Sequence, residues 1–469
     1  MSLAFAVICC AGSVPRRAIP ELAGFGAASR ERFLSTFWGK APVLIRRLLD
    51  ADETRRCCPF APRDLLELAC AADAASRLVE EDKGWVLTHG PFSCADLEAR
   101  AREGGKWTLL VNEAEKFAPE VEELRELFDF LPRWRLDDVM VSYAPPGGSI
   151  GAHIDNYDVF LLQGLGERRW EIEARPRDAA AERLYTGLDV RVLADFTSDQ
   201  ASTLQPGDAL YLPPRYAHCG TSTDEQCLSY SIGFRAPTDA ELVRSFVEHA
   251  AASLASDALW AGDETAPPST ERRGRISPES VAHARQTIAA ALEAALHDER
   301  SFEEWLGGVL TQPRRRAPGM RSEAVRALSA TWAAAAPPGV EAVEEGGASE
   351  GLGAVVASEL SCDGGLDGPD GVVAAIACGA PDAPALRHGE TAIFAFIERA
   401  DGHHALFIDG QPVSCPADAS RHVPLLCSSC RLEPAALREP LQRSPGLRRL
   451  VADLIRDDAL HEELGSREK

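Results

Sequence analysis

The 469-residue chain is short of basic charge: 49 Lys and Arg stand against 72 Asp and Glu, a formal net charge of −23. That balance excludes a protein that coats nucleic acid, because neutralising phosphates takes a basic surface. It suits a partner that is itself basic, since opposite fields steer encounter. Long apolar runs are also missing near the start. The longest there is Leu3 to Ala11, nine residues, whereas a membrane span needs ~20. No positive charge precedes that run, as a secretory signal would require; Arg16 and Arg17 follow it. No acid precedes Glu21, so an organellar transit segment stays open beside a cytoplasmic location, with mitochondrion or plastid as the alternatives.

The 13 cysteines are scattered and odd in number, and include the adjacent pairs Cys9–Cys10 and Cys57–Cys58. A chain of this length needs no disulfides to fold, and the pattern reads as a reducing compartment. The one CxxC, Cys427-Ser-Ser-Cys430, has no second pair at zinc-finger spacing and reads as buried thiols.

What is present falls into four zones. From about Ala28 to Ala75 the apolar spacing is helical, with Arg32-Phe33-Leu34 and Leu65-Leu66-Glu67-Leu68 on one face. From Trp107 to Phe234 the texture turns to short runs rich in Val, Ile, Tyr and Phe, broken by Gly and Pro. These runs are Val139–Tyr143, Val159–Leu162, Arg169–Ile172, Ala209–Leu212 and Leu228–Phe234, and their spacing implies a sandwich or barrel. Beyond Pro237 helix returns. Ser277-Pro278-Glu279 is a helix start, with a hydroxyl cap, a proline and then an acid. The last zone holds a Gly-, Ala-, Glu- and Pro-rich insertion at 337–371, read as poorly ordered. A hairpin follows, with Ala392–Glu398 and Ala405–Ile408 around Asp401-Gly402, and a helical stretch runs from Leu437 to Leu464. Helix–hairpin–helix resembles a winged-helix module.

The chemistry concentrates in Gly147-Gly-Ser-Ile-Gly-Ala-His153-Ile-Asp155. Alternate side chains of a strand share a face, so His153 and Asp155 are expected to project together. His218, 63 residues after Asp155 and closing a Pro-Gly-Asp … Pro-Pro-Arg-Tyr-Ala-His stretch, offers a third ligand. Two imidazoles and a carboxylate form the facial triad of non-haem Fe(II) oxygenases, which leaves positions open for a keto acid and dioxygen. Alone the pair is weak evidence: with 11 histidines and about one residue in 16 an aspartate, HxD arises by chance roughly 0.7 times. The surrounding Gly-rich approach and the Pro-Pro ending set this pair apart from His89 or His283, which read as ordinary histidines.

Trp134-Arg-Leu-Asp-Asp-Val-Met-Val-Ser-Tyr-Ala-Pro-Pro-Gly-Gly148, then His153-Ile-Asp-Asn-Tyr-Asp-Val-Phe-Leu-Leu-Gln-Gly-Leu-Gly-Glu-Arg-Arg-Trp170, resemble the JmjC-type ribosomal oxygenases. The bacterial branch, arginine hydroxylases of large-subunit ribosomal protein sixteen, is the most similar. Phe37–Arg46 and Cys227–Pro237 continue the likeness, which covers about Arg30 to Pro237 well and the rest loosely. It implies an α+β protein with a double-stranded β-helix (jelly-roll, JmjC/cupin-like) core at 28–236, behind an N-terminal extension at 1–27. It further implies a helical dimerisation region at 237–312 and a winged-helix-like domain at 313–469.

The resemblance also implies Fe(II) on His153, Asp155 and His218, with 2-oxoglutarate and dioxygen as cosubstrates. Arg168 matches the basic residue that grips the distal carboxylate of 2-oxoglutarate, a task suited to a guanidinium's paired donors, and Ser142 matches a polar contact to it. Asp138, Tyr157 and Ser231 match positions around the incoming side chain. The implied activity is hydroxylation of an arginine in a basic ribosomal protein by a homodimer, with neither nucleic acid nor membrane required. Alternatives are hydroxylation of a ribosomal histidine and a non-catalytic binding protein on the same barrel; a winged-helix nucleic-acid binder is opposed by the net charge. The chain departs from the family pattern at Arg215, where the Pro-Pro turn usually carries glycine, at Cys219, and in the length of the insert. If position 215 needs a positive φ, an arginine there costs stability.

Overall fold

A computed structural model describes residues 18–188, 190–255, 257, 259–260, 276–312, 368–389 and 392–463. The N-terminal apolar run, any transit segment and positions 337–367 of the insert lie outside these residues. The chain divides into two compact units, the first holding 18–130 and 136–235.

In the first unit, twelve strands form two sheets. They are β1 (Glu21–Ala23), β2 (Val43–Arg46), β3 (Ser76–Glu80), β4 (Val86–His89), β5 (Trp107–Val111), β6 (Leu136–Ala144), β7 (Asp158–Leu165), β8 (Arg168–Ile172), β9 (Gln200–Leu204), β10 (Ala209–Leu212), β11 (His218–Ser222) and β12 (Cys227–Phe234). The major sheet runs β1-β2-β10-β7-β12-β6-β5-β3-β4, and the minor sheet β11-β8-β9. The five strand runs read from sequence correspond to β6, β7, β8, β10 and β12. The helical reading of Ala28–Ala75 is corrected at Val43–Arg46, which is a strand between β1 and β10. Its four residues are apolar or amphipathic with no polar alternation, because both faces of β2 are covered. β1 lies before residue 28, so the sheet begins within the segment read as an extension.

Alternation along β8 and β11 buries Arg168, Trp170 and Ile172, and His218, Gly220 and Ser222, on one face. Val159, Leu161, Leu210 and Leu212 of the major sheet pack with Trp170, Ile172 and Leu204 of the minor one, which closes the jelly-roll interior. The opposite face of the major sheet is aromatic. Phe160 lies 4.3 Å from Phe128, 5.0 Å from Tyr211 and 5.7 Å from Phe234, ring centre to ring centre, and Phe33 of helix α1 (Ala27–Thr36) caps the group. Helix α2 (Ala51–Cys57) starts on a reciprocal cap: the Asp50 carboxylate accepts from Glu53 N, and Glu53 accepts from Asp50 N. Three more helices complete this unit: α3 (Pro62–Leu68), α4 (Cys94–Glu103) and α5 (Pro119–Glu126). Cys70, after α3, and Cys94, opening α4, are joined as a disulfide, so the reading of unbridged thiols is corrected for this pair.

The second unit contains α6 (Asp239–Ala252), α7 (Pro278–His297) and α8 (Glu299–Thr311). Ser277 caps α7, its hydroxyl accepting from Ser280 N at 3.0 Å, with Pro278 at the first position. Further along, a helix at Gly368–Cys378 takes up the end of the segment read as insert. The hairpin forms as Phe394–Glu398 and His404–Ile408. Helices Pro434–Arg443 and Pro445–Arg456 follow, and the helical reading to Leu464 is corrected at Leu460–Glu463, a strand paired with Ala385–His388. Asp458, at φ 57°, breaks the helix before it. Among the described residues no helix is long and apolar enough to cross a membrane.

Truncating the fully buried Phe160 leaves a ring-sized cavity in the aromatic layer. Phe160→Ala is expected to lower unfolding free energy by about 3–5 kcal/mol, read as a shifted urea midpoint at unchanged slope.

Candidate metal centre

His153, Asp155 and His218 come together, each offering a ligand atom within 4.8 Å of the others. The expected alternation of a strand is not what does it, because residues 154–157 are irregular. Instead His153 and His218 form an antiparallel bridge with two backbone hydrogen bonds, each N–H donating to the other's carbonyl at 3.0 Å. The rings are thereby set 4.2 Å apart. Arg215 N–H donates to Asp155 O at 2.8 Å and fixes the third ligand's backbone.

Both imidazoles are held alike. Nδ1 of His153 lies 2.9 Å from Gly151 O, and Nδ1 of His218 lies 2.9 Å from Tyr216 O. A carbonyl only accepts, so each Nδ1 carries a proton and each Nε2 is the atom left to face a metal. The Nε2 atoms lie 3.9 Å and 3.6 Å from Asp155 Oδ2. Burial and then the neighbouring His153 lower His218 to about 4, so it stands neutral at physiological pH. Two imidazole donors and a carboxylate are the chemistry of a divalent-metal site with open positions.

Beside the triad lies a second polar region. The Arg168 side chain is buried among Cys227, whose Sγ is 3.4 Å from Nε, and the Trp170 ring, 5.9 Å away. Its Nη2 has no hydrogen-bond partner among the described residues, and neither has Trp170 Nε1 or Thr108 Oγ1. A buried guanidinium with an unsatisfied donor is costly unless something fills the gap, so the donor set fits an anionic ligand. Ser142 faces the same interior. It pairs in register with Ser229, and Ser229 with Gln163. The Ser229 hydroxyl donates to Gln163 Oε1 at 2.8 Å, and Gln163 Nε2 reaches Cys227 Sγ at 3.4 Å. Ser229, Gln163 and Cys227 were missed in the sequence. Strand alternation from Ser231, which the resemblance singles out, puts Ser229 and Cys227 on the same face of β12 and is the signal that finds them. Gly220 makes room for this wall, since a Cβ there would lie 2.6 Å from the Trp170 ring.

Asp138 and Tyr157 meet across Gly233, where a Cβ would lie 3.9 Å from Asp138 Oδ1 and 3.8 Å from the tyrosine ring. Burial, then the Asp155 carboxylate, push the Tyr157 phenol well above its usual range. Ser231 shares their strand face, opposite Met140. Arg235, also missed, lies 5.0 Å over the Tyr157 ring with its Nε 2.8 Å from Asp137 Oδ2. Position 215 does adopt a positive φ, 73°. Arg215 offsets the strain with bonds to Arg177 O (3.0 Å), Asn156 Oδ1 (2.9 Å) and the Glu182 carboxylate (3.2 Å). Cys219 points away from the triad toward Ser149, and burial pushes its thiol up.

Residues 123–242 match the model of the JmjC domain. A probable ribosomal oxygenase of Haemophilus influenzae is 39% identical over 218 residues, 45% of this chain and 51% of the relative. The ribosomal protein uL16 3-hydroxylase of Escherichia coli is 31% identical over 283 residues, 60% of this chain and 71% of the relative. The chain belongs to the JmjC ribosomal oxygenase family. The match thus spans about half the length of the first relative and over two thirds of the second. Solved structures of the E. coli ribosomal oxygenase YcfD share the fold at 24% identity, covering 92% of this chain and 98% of theirs. An X-ray structure gives a TM-score of 0.65, and a complex with cobalt and 2-oxoglutarate gives 0.62.

The unfolded chain protonates a histidine near 6.5, and the fold resists protonating His218 until about 4. Stability of the metal-free protein therefore falls as pH drops through this window, by up to about 3 kcal/mol. Thermal melts from pH 7 to 4 should show that loss, with a shallower slope in His218→Leu.

Proposed function

We propose that the protein is an Fe(II)- and 2-oxoglutarate-dependent hydroxylase acting on an arginine side chain of a ribosomal protein. The observation that carries this reading is the triad of His153, Asp155 and His218 in one barrel with buried Arg168, whose Nη2 has no partner among the described residues. The relatives' names supply the substrate class, and the net charge of −23 suits a basic ribosomal protein. Fe(II), when bound with the keto acid, supplies the power to place one atom of dioxygen on a C–H bond while 2-oxoglutarate becomes succinate and carbon dioxide.

The chain's own residues hold and aim. His153, Asp155 and His218 would hold the metal, each offering one ligand atom. Arg168 binds the distal carboxylate by charge-assisted bonds, and Ser142 lines the same recess. Trp170 and the leucines of the interior keep water out. At the entrance Asp138 accepts from a guanidinium, Tyr157 stacks on it, and Ser231 offers a hydroxyl from the same strand face. Arg235 over Tyr157 is an internal instance of a guanidinium on that ring. A carboxylate with an aromatic wall favours a permanent cation over a neutral imidazole.

Purified protein with Fe(II), 2-oxoglutarate and a basic ribosomal-protein peptide should release succinate in step with a gain of one oxygen on arginine. His153→Ala should abolish both. Arg168→Ala should raise the KM for 2-oxoglutarate by about 10–100-fold, the loss of a charged hydrogen-bonding partner. Oxygen found on histidine would replace the arginine reading, and absence of metal binding would support a binding protein on the barrel.

The segment 237–312 we read as a dimerisation region and 313–469 as winged-helix-like. α6 exposes Val243 and Val247, and α7 exposes Val281, Ile288 and Leu296. Apolar side chains repeated along helix faces mark an association surface. Light scattering should give the mass of a dimer, and Ile288→Asp with Val243→Asp should give a monomer. A ribosomal substrate suits a cytoplasmic site of action, with mitochondrion or plastid as the alternatives.

A further inference from the structure

Glu115 is among the buried carboxyls that the mechanism leaves unused. It is 7% exposed and lies in the turn after β5. That strand stops pairing with β6 at Val111–Val141, so the Val139 N–H beyond it has no strand carbonyl to meet. Glu115 Oε2 accepts it at 3.0 Å and stands in for the missing strand. The same turn grips the preceding residue: Asn112 Nδ2 and Glu113 N–H donate to Asp138 Oδ2 at 2.9 and 3.2 Å. Arg77 Nη2 donates to Asn112 Oδ1 at 3.3 Å, which fixes which end of that amide faces Asp138. Glu113 adopts a left-handed conformation, φ 55° and ψ 38°, costing roughly 1–2 kcal/mol at a non-glycine residue. An ion pair with Lys116 at 2.6 Å holds it there. With Oδ2 anchored, Asp138 Oδ1 faces Gly233 and Tyr157.

We propose that Glu115 is a positioning residue: it pins Val139 so that Asp138, held by Asn112 and Glu113, keeps its carboxylate turned to an incoming cationic side chain. This rests on the reading of Asp138 as a substrate contact. The charges support it. Burial raises Glu115 to about 8; Asp138 of β6 and Glu122 of α5 push the same way, while Arg125 of α5, paired with Glu122 at 2.9 Å, opposes. Burial thus favours the neutral acid at Glu115, which stands behind Asp138 without adding a like charge there.

Steady-state kinetics of the iron-loaded enzyme on an arginine peptide test this. Glu115→Leu should raise the peptide KM about tenfold with little change in kcat, and Glu115→Gln, which keeps an acceptor, should restore it. Asp138→Asn combined with Glu115→Leu should be no worse than Asp138→Asn alone, whereas independent structural roles would add. Additive losses, or a normal KM in Glu115→Leu, overturn the proposal. If Glu115→Leu does not fold, Asn112→Leu makes the same comparison. A wild-type enzyme that turns over 2-oxoglutarate yet ignores the arginine peptide overturns the substrate reading, and this proposal with it.

Discussion

The pair of backbone hydrogen bonds between His153 and His218 sets the spacing on which the rest of the centre depends. Side chains 65 residues apart in sequence are made neighbours by main-chain geometry, which is stiffer than any side-chain contact. Each ring is then locked by a carbonyl two residues back in its own chain segment, so neither tautomer nor tilt is left to the ligand. Preorganisation of this kind lowers the entropy that binding must overcome.

Around that bridge the interior is divided. Leucines and valines from both sheets fill one part. A row of small polar side chains on β6, β12 and β7 fills another, adjoining Arg168. Such a row is tolerable only because its members satisfy one another. Among the described residues Thr108 Oγ1, Trp170 Nε1 and Arg168 Nη2 stay without a partner, and Arg168 is the one of these that carries a charge. The outer face of the same sheet is packed with aromatic rings, one of which, Tyr211, donates its hydroxyl to the buried Asp158 carboxylate.

Much was legible in the linear chain because its signals are local. Runs such as Val139–Tyr143 and Leu228–Phe234 alternate or persist at strand length, and the cap at Ser277 is chemistry within four residues. The triad was found from residue types and linked motifs, although the reason given for His153 and Asp155 sharing a face was the wrong one. Val43–Arg46 was hidden in a helical texture because a short strand covered on both faces has no period to reveal it. Leu460–Glu463 was hidden because pairing with Ala385–His388 outweighs its local helical pattern. The Cys70–Cys94 pairing depends on two helix ends meeting, which spacing does not encode.

The sequence by itself determined the donor types, the strand and helix alphabet of the core, and the family, since each depends on residue identity and near-neighbour order. Only the tertiary structure decided that Arg168 keeps an unpaired donor, that Arg215 takes a positive φ under Asp155, and that Glu115 replaces a strand where β5 ends. These depend on which groups are buried together and which are left unsatisfied, a property of long-range packing that no local pattern carries.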